Sequence, residues 1–230
     1  MNEWDDWFCK QVTRAGGLFK LVYDEWVYGA PTYISIFRLL PPPKKVLEIG
    51  CGFGGSAAIL SLLGYDVTAI DIDPKMLSHS RTVLTALGVA ESSVKLELGD
   101  LFDLSSYYRR FDVTFSSGVL EHFPPEEAIT AMREQCKVAK YVVVSIPTRW
   151  CDTKKDALAA YIHPHTPSSF KAMCRKAGLE ITTFLAFGDP DGPTFTVLRK
   201  ILPYVVWCVL RRRLFAATVA AICTSKGDEE

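Results

Sequence analysis

The chain has 230 residues, an apolar fraction of 49% and a formal net charge of zero, with 26 basic and 26 acidic side chains. This length favours one domain, or one domain with additions, and the apolar fraction excludes a disordered chain. The balanced charge argues against a dedicated nucleic-acid binder, because such proteins usually carry a basic excess.

The chain begins with an acidic stretch, residues 2–6, and lacks the basic region of a secretory signal. No apolar run reaches the roughly 18–20 residues that a membrane span needs. Seven cysteines are scattered without a CxxC pair, so we expect neither a disulfide framework nor a zinc site. These features predict a cytoplasmic protein.

Residues 1–43 are predicted to form a helical cap of two or three short helices, rich in aromatic side chains. The prolines at 41–43 cannot continue a helix and therefore separate this cap from residues 44–230. From residue 45 onward, strand and helix patterns alternate, which predicts a parallel sheet covered by helices on both faces. Strands are predicted at residues 46–49, 66–70, 94–98, 112–116, 141–146, 179–187 and 216–224. Helices are predicted at residues 56–63, 74–87, 125–138, 167–177 and 195–214, with a short irregular or helical piece at 104–108 and a break near Pro203.

Glycines follow the first predicted strand at every second position. Gly50, Gly52 and Gly55 satisfy the dinucleotide-binding pattern GxGxxG, and Asp71 follows Gly50 by 21 residues, at the end of the second strand. An acid at that place binds ribose hydroxyls in doubly wound folds. Taken alone, these residues fit the binding of NAD, although this pattern by itself is a weak signal.

The same segment also contains Glu48 and Gly54, in the pattern ExGxGxG. Together with residues 67–77, 98–101 and 111–123, it resembles the ordered motifs of the class I S-adenosylmethionine-dependent methyltransferases. The resemblance is close over residues 44–148 and looser over 160–187. It implies an α/β, doubly wound, Rossmann-like sheet of seven strands in the order 3-2-1-4-5-7-6, mostly parallel, with the last strand antiparallel. Residues 44–230 would then be the S-adenosylmethionine-binding domain, and the reaction would be methyl transfer to an oxygen, nitrogen or carbon atom of a small molecule.

The resemblance implies a set of residues that contact S-adenosylmethionine. They are Glu48, Gly50, Cys51, Gly52, Gly54, Asp71, Ile72, Asp100, Leu101, Ser116 and Ser117. The N–H groups of the glycine turn would meet the methionine end, Asp71 the ribose and Asp100 the adenine amino group. Structural alternatives stay open: Glu48 as a capping acid, Asp71 and Asp100 as residues of turns, and the two serines contributing only backbone.

Glu121 and His122 follow the fourth predicted strand and are the candidate catalytic residues, because histidine exchanges protons near neutral pH. The alternative is that they form a structural turn of the family. In the quinone-pathway O-methyltransferases, a similar loop carries another acid three residues earlier and binds a divalent metal. Gly118 stands there in this chain, and we therefore predict no metal site.

Tyr28 and Tyr33 in the cap, and His163 and His165 in the long segment 147–167, are candidate substrate-binding residues. Such a segment is long for a loop and would suit a lid or an acceptor wall. The alternatives are that the tyrosines only fill the cap and that each histidine is an ordinary hydrogen-bonding loop residue.

Residues 199–215 combine basic and apolar side chains. They predict either a peripheral contact with a membrane or a second subunit, or a helix that packs its apolar face on the sheet. No oligomeric state is predicted.

Three other functions stay open for the whole chain. A NAD-dependent reductase is disfavoured by Glu48, Asp100 and the loop at 120–123. A non-catalytic cofactor-binding module is the second. A protein or nucleic-acid methyltransferase is the third; the neutral charge and the absence of an Asn-Pro-Pro-Tyr signature argue against nucleic acid as a partner.

Overall fold

A computed structural model of the chain describes residues 3–42, 45–151, 162–188, 193–210 and 216–225. The strands are β1 (Lys45–Ile49), β2 (Asp66–Asp71), β3 (Val94–Leu98), β4 (Phe111–Ser117), β5 (Ala139–Pro147), β6 (Leu179–Phe187) and β7 (Thr218–Ser225). Within the described residues these seven strands form one sheet in the order β3-β2-β1-β4-β5-β7-β6. β1 pairs in parallel with β2 and β4, β2 pairs in parallel with β3, and β6 and β7 are antiparallel. The predicted strand order and the antiparallel last strand are confirmed.

The helices occur where the sequence pattern predicts them. They are α1 (Glu3–Ala15), α2 (Leu18–Asp24), α3 (Ala30–Phe37), α4 (Gly55–Leu62), α5 (Pro74–Ala86), α6 (Pro125–Val138), α7 (Pro167–Lys176), α8 (Pro193–Ile201) and α9 (Tyr204–Leu210). A π-helical turn, Glu25–Gly29, joins α2 to α3. The break at Pro203 separates α8 from α9 because proline cannot donate the hydrogen bond that would continue the helix. The end of the predicted last helix, residues 211–214, lies outside the described residues.

The chain divides into two compact units. The first comprises residues 1–116 and 134–141, and the second comprises residues 117–133 and 142–230. The three N-terminal helices belong to the first unit, together with β1, β2 and β3. The boundary between residues 43 and 44 therefore stays a prediction.

The first unit has β1 at its centre, where Val46, Leu47 and Ile49 are fully buried. Such a continuous apolar run is typical of a parallel strand that is covered on both faces. The strand directs the residues that follow it to the carboxyl edge of the sheet, where open parallel sheets bind their ligands.

The aromatic side chains of the N-terminal segment explain how α1 is held. Phe8 is buried and its ring stacks on His79 of α5, with 4.0 Å between the ring centroids. Asp5 accepts hydrogen bonds from Lys75 and His79, at 2.8 and 2.9 Å. Phe8 also contacts Phe53, which lies in the glycine turn. The helical segment therefore packs against α5 and the glycine turn rather than standing apart from the first unit.

The second unit is organised by caps and by contacts near Thr148. Thr166 caps α7, in a reciprocal arrangement with Ser169 that satisfies the first N–H groups of the helix. The N–H of Thr148 donates to the carbonyl of Ala217 at 2.8 Å, and the Thr148 hydroxyl donates to that of Ala216 at 2.5 Å. These bonds fix the chain that leaves β5.

In the described part of the chain, no helix is both long enough and apolar enough to pass through a bilayer.

Candidate functional site

The glycine turn between β1 and α4 is the centre of the candidate site in the first unit. Gly50, Gly52 and Gly54 have φ angles of 68°, 55° and 77°, in the left-handed region that favours glycine. The N–H groups of Gly50 and Cys51 both donate to the carbonyl of Ile70, at 2.9 and 3.0 Å. The N–H of Gly54 donates to the Cys51 carbonyl at 2.9 Å, which closes the turn.

The N–H groups of the glycine turn take part in hydrogen bonds within the chain. Those of Gly50, Cys51, Gly52 and Gly54 all donate to acceptors of the chain itself. Their acceptors are carbonyls of β2 and of the turn and the Asp71 carboxylate, whose approach the sequence pattern does not reveal. What the turn offers is close access to its backbone. A Cβ placed on Gly52 would lie 4.0 Å from Met76 Cε, so the missing side chain leaves room beside the turn.

Ser80 of α5 supports the turn and was not identified from the sequence. Its side chain is fully buried, and its hydroxyl lies 2.7 Å from the carbonyl oxygen of Gly52 and 2.9 Å from that of Met76. A Cβ on Gly54 would lie 3.0 Å from Ser80 Cβ, so the turn and the helix touch. The available signal was a serine within the buried stripe of α5, among Met76, Leu77 and Val83.

Asp71 lies at the end of β2, and both of its carboxylate oxygens are held by the backbone. One oxygen accepts the N–H of Gly52 and the other accepts the N–H of Asp73, each at 2.9 Å. Burial raises the pKa of this carboxyl group, while the two N–H groups oppose the rise. Each oxygen keeps a further lone pair, so an oriented acceptor for two hydroxyl groups remains.

Exposed apolar side chains lie next to Asp71, where β2 and β3 end. Ile72 and Leu98 are each 64% exposed, and Phe102 is partly exposed. Asp100 is exposed, and one of its carboxylate oxygens accepts the N–H of Phe102 at 2.9 Å. Leu101, in contrast, is buried. An acid beside apolar side chains suits a flat heteroaromatic ring that carries an amino group; Leu98 and Phe102 were missing from the predicted set.

Glu48 is a buried carboxylate with one unused oxygen. The residue is 3% exposed, and its Oε1 accepts the hydroxyl of Ser56. Among the described residues, no group hydrogen-bonds its Oε2. Burial raises the pKa of Glu48 to about 8, with smaller contributions from the carboxylates of Glu25 and Asp71. A buried acceptor of this kind fits a positively charged donor of hydrogen bonds.

Glu25, in the π-helical turn, brings a second carboxylate toward Glu48. The Tyr33 hydroxyl donates to Glu25 Oε1 at 3.0 Å, and burial together with the carboxylates of Glu25 and Glu48 raises the pKa of Tyr33 well above its usual value. Burial also raises the pKa of Glu25. A Cβ on Gly55 would lie 2.5 Å from Glu25 Cγ, so only glycine admits Glu25 at the start of α4. We call Glu25, Tyr33, Glu48 and Ser56 the acid cluster.

The other residues predicted near the cofactor take different positions. Ser116 is buried, and its hydroxyl donates to Gln135 Oε1 at 3.3 Å, as expected if its side chain were structural. Cys51 is buried beside Ser80, with 3.8 Å between Cys51 Sγ and the serine oxygen. Tyr28 lies in the π-helical turn, and Ser117 ends β4 in the second unit.

In the second unit, Glu121 and His122 form a 3₁₀ turn after β4. The turn follows Gly118, whose N–H donates to the Ser145 carbonyl at 3.0 Å and whose φ of 72° is in the left-handed region. Glu121 is buried and His122 is half-buried. The turn therefore has a fixed backbone.

A backbone hydrogen bond joins the segment of His163 to the turn that holds Glu121 and His122. The N–H of His163 donates to the backbone carbonyl of Glu121 at 2.7 Å. His165 is buried, and its carbonyl accepts the N–H of Arg149 at 2.8 Å. Burial, with a smaller contribution from His163, lowers the pKa of His165. Residues 152–161 of the predicted lid lie outside the described residues.

No set of three or more histidine, cysteine or acidic residues is arranged to hold a metal ion in the described part of the chain.

Comparisons with known proteins agree with this arrangement. A family model described as a methyltransferase domain matches residues 46–141. The ubiquinone biosynthesis O-methyltransferase of Thiobacillus denitrificans is 31% identical over 174 residues, which cover 69% of this chain and 71% of the relative. The 2-methyl-6-phytyl-1,4-hydroquinone methyltransferase of Synechocystis is 33% identical over 112 residues, or 48% of this chain and 33% of the relative. The chain spans only 33% to 58% of the length of the Synechocystis hydroquinone methyltransferase and of two further curated relatives.

Solved structures show the same fold. A magnesium protoporphyrin IX methyltransferase from Synechocystis, with bound S-adenosylmethionine, gives a TM-score of 0.59 at 16% identity and covers 90% of this chain and 82% of its own. An S-adenosylmethionine-dependent methyltransferase from Archaeoglobus fulgidus gives 0.60 at 17% identity, with 90% and 99% covered. With the strand order, the matched domain and the extended identity to the Thiobacillus enzyme, the chain belongs to the class I S-adenosylmethionine-dependent methyltransferase family.

Proposed function

We propose that this protein transfers a methyl group from S-adenosylmethionine to an oxygen, nitrogen or carbon atom of a small molecule. The observation that carries the proposal is the Asp71 carboxylate, which the N–H groups of Gly52 and Asp73 orient beside the glycine turn. Family membership supports the same conclusion.

The residues of the first unit fit the chemical groups of this cofactor. Asp71 would accept the two ribose hydroxyls, and Ile72, Leu101 and Asp100 would contact the adenine ring and its amino group. Glu48 Oε2, buried and unpaired within the described residues, fits the ammonium of the methionine end. When bound, the cofactor supplies a methyl group activated by a positively charged sulfur.

The chain's main contribution to the rate would be alignment. Holding an acceptor in line with a methyl group can supply up to about 7–11 kcal/mol of rate enhancement in well-oriented systems. For an acceptor that must lose a proton, we propose His122 as general base, with Glu121 positioning it, and such a base contributes about 10²–10⁴-fold. His163, bonded through its N–H to the Glu121 carbonyl, would orient the same turn.

The acceptor we favour is a small molecule with a hydroxyl group. The Thiobacillus relative is named as an O-methyltransferase of ubiquinone biosynthesis, and the Synechocystis relative is named for a hydroquinone. Two other relatives are named as protein-L-isoaspartate O-methyltransferases, so a protein acceptor is the competing class.

Transfer of a radiolabelled methyl group tests the proposal. The full chain is incubated with labelled S-adenosylmethionine and with pools of small phenols, small amines, unfolded proteins or nucleic acids. We expect label in a small-molecule pool, and His122→Gln should lower kcat for a hydroxyl acceptor by about 100-fold or more. Label only in protein would favour the competing class. Cofactor binding without transfer to any pool would favour a non-catalytic module.

A further inference from the structure

The helices α8 and α9 expose apolar side chains that the second unit does not cover. Six of them are on the surface: Val197, Ile201, Tyr204, Val205, Val206 and Val209. Tyr204 is 80% exposed and Val205 is 72% exposed, which is far more than a helix packed on a sheet would leave. The sequence allowed the alternative that this segment packs an apolar face on the sheet, and such packing would leave these six side chains uncovered.

The exposed side chains lie on helices that are anchored to the second unit. Trp207 of α9 is 3% exposed, and Phe195 of α8 contacts the ring of Trp150 edge to face, with 5.5 Å between centroids. α9 therefore has a buried contact, α8 has a half-buried aromatic contact, and both helices have an exposed apolar side. Val197 and Ile201, and likewise Val205 and Val209, are four residues apart, and such pairs share one helix face.

Basic charge accompanies these apolar side chains. Arg199 and Lys200 are exposed in the last turn of α8. In sequence, residues 193–215 hold five basic residues and no acidic one, although the whole chain has 26 of each sign. Arg211–Arg213 belong to this count, but their structure lies outside the described residues. We call the six apolar side chains, with Arg199 and Lys200, the α8–α9 surface.

The charge of this segment identifies what would cover it. A symmetric dimer through the α8–α9 surface would bring together two copies of a segment whose charged residues are all basic, and repulsion between these like charges would oppose the dimer. A bilayer with anionic headgroups satisfies both features, since it attracts basic side chains and accepts apolar ones at the boundary with the acyl chains.

We propose that the α8–α9 surface binds anionic membranes peripherally. α8 has nine residues and α9 has seven, so they extend about 14 and 11 Å, much less than the roughly 30 Å of a hydrocarbon core. The helices therefore lie in the interface, with the valines and Ile201 below the headgroups and Arg199 and Lys200 among the phosphates. The inference does not depend on the proposed function, because it rests on α8 and α9 alone.

Flotation of the full chain with vesicles tests the proposal. One set of vesicles contains only phosphatidylcholine, and the other contains equal amounts of phosphatidylcholine and phosphatidylserine. We expect binding to the anionic vesicles, little binding to the neutral ones, and loss of binding at high salt. No binding to either set, or equal binding to both, would overturn the proposal whatever the variants do.

Two variants on the α8–α9 surface have matched controls. Arg199→Gln with Lys200→Gln should weaken binding about 30-fold, at about 1 kcal/mol per basic residue. Arg175→Gln with Lys176→Gln changes an equivalent pair in the last turn of α7 and should not weaken it. Ile201→Ser with Val205→Ser should weaken binding at least about 10-fold, whereas Phe19→Ser, at an exposed position on α2, should not.

Two results on the variants would contradict the membrane assignment. If the substitutions at both basic pairs weaken vesicle binding equally, binding depends only on the net charge of the protein and not on the α8–α9 surface. If the apolar variant abolishes self-association of the free protein and leaves vesicle binding unchanged, a second copy is the occupant. Circular dichroism and the thermal midpoint verify that each variant is folded.

Discussion

At the scale of single residues, the candidate site depends on carboxylates whose surroundings differ. Asp71 is held by two N–H groups, whereas Glu48 has a buried oxygen without a hydrogen-bond partner among the described residues. The first is thus oriented as an acceptor for neutral hydroxyl groups. The second binds a proton more strongly than an exposed carboxylate does, and it could instead pair with a bound cation.

Asp71→Asn should weaken the binding of S-adenosylmethionine by about 10- to 100-fold. A hydrogen bond to a charged group contributes about 1.5–3 kcal/mol. The amide replaces one carboxylate oxygen, each of which accepts an N–H group, with an NH₂ group that cannot accept. Isothermal titration calorimetry measures the change. The matched control is Asp73→Asn, which keeps a good N-cap for α5 and should change the affinity by less than about 3-fold. Equal losses for both variants would contradict a ribose contact from Asp71.

Glu48→Gln should change how stability depends on pH. The raised pKa means that the folded state binds the proton more tightly than the unfolded state, in which the value is near 4.5. The contribution of protonated Glu48 to the free energy of unfolding is therefore fully present below the unfolded-state pKa of 4.5, and it is lost as the pH rises toward about 8. The neutral amide does not titrate, so between these two pH values the thermal midpoint of the variant should fall less than that of the wild type. The expected difference is a few degrees, because 1 kcal/mol of stability corresponds to about 2–4 °C in the thermal midpoint.

Thermal unfolding at several pH values measures this effect, with the exposed Glu127→Gln as control. The control should follow the wild type at every pH. Parallel curves for Glu48→Gln and the wild type would show that Glu48 ionises normally in the folded protein.

At the scale of elements, the contact between the glycine turn and α5 makes a prediction about packing. Gly54→Ala places a methyl group 3.0 Å from Ser80 Cβ, at a φ of 77°, whereas Gly64→Ala meets a similar φ of 90° with nothing described within 4 Å. In both variants the free energy of unfolding should fall by about 1–2 kcal/mol, because alanine is strained in the left-handed backbone conformation. Gly54→Ala should lose about 1–3 kcal/mol more in the free energy of unfolding. Urea denaturation measures the difference, and equal losses would mean that the turn and α5 are not in contact.

The helix α1 also makes a prediction about packing, because Phe8 joins it to α5 and Phe53. Phe8 is 6% exposed and Phe19 is 79% exposed. Phe8→Ala should lower the free energy of unfolding by about 3–5 kcal/mol. Phe19→Ala should change it by less than about 0.5 kcal/mol. Similar values for the two variants in urea denaturation would show that α1 does not pack on α5.

At the scale of the whole molecule, local patterns were sufficient to place most helices and strands along the chain. Alternating apolar strands, a proline at the first position of α5 and glycines after helices define elements from neighbouring residues alone. The resemblance to the methyltransferases then supplied the strand order, which no local pattern contains.

The parts of the site that escaped prediction depend on contacts between distant segments. Glu25 is thirty residues from Gly55 in the chain, and only the packing of the π-helical turn on α4 brings them together. The donors of the glycine turn meet the Ile70 carbonyl and Asp71 because β1 and β2 pair in one particular register. The exposure of α8 and α9 likewise depends on which of their sides the second unit covers.

Calorimetric titration of the purified full chain with S-adenosylmethionine is the most direct test that this protein binds a methyl donor. We predict saturable binding of one cofactor molecule per chain, similar binding of S-adenosylhomocysteine, and no binding of NADH. Heat of binding from NADH, together with none from S-adenosylmethionine or S-adenosylhomocysteine, would contradict the assignment of Asp71, Glu48 and the glycine turn to the methyl donor.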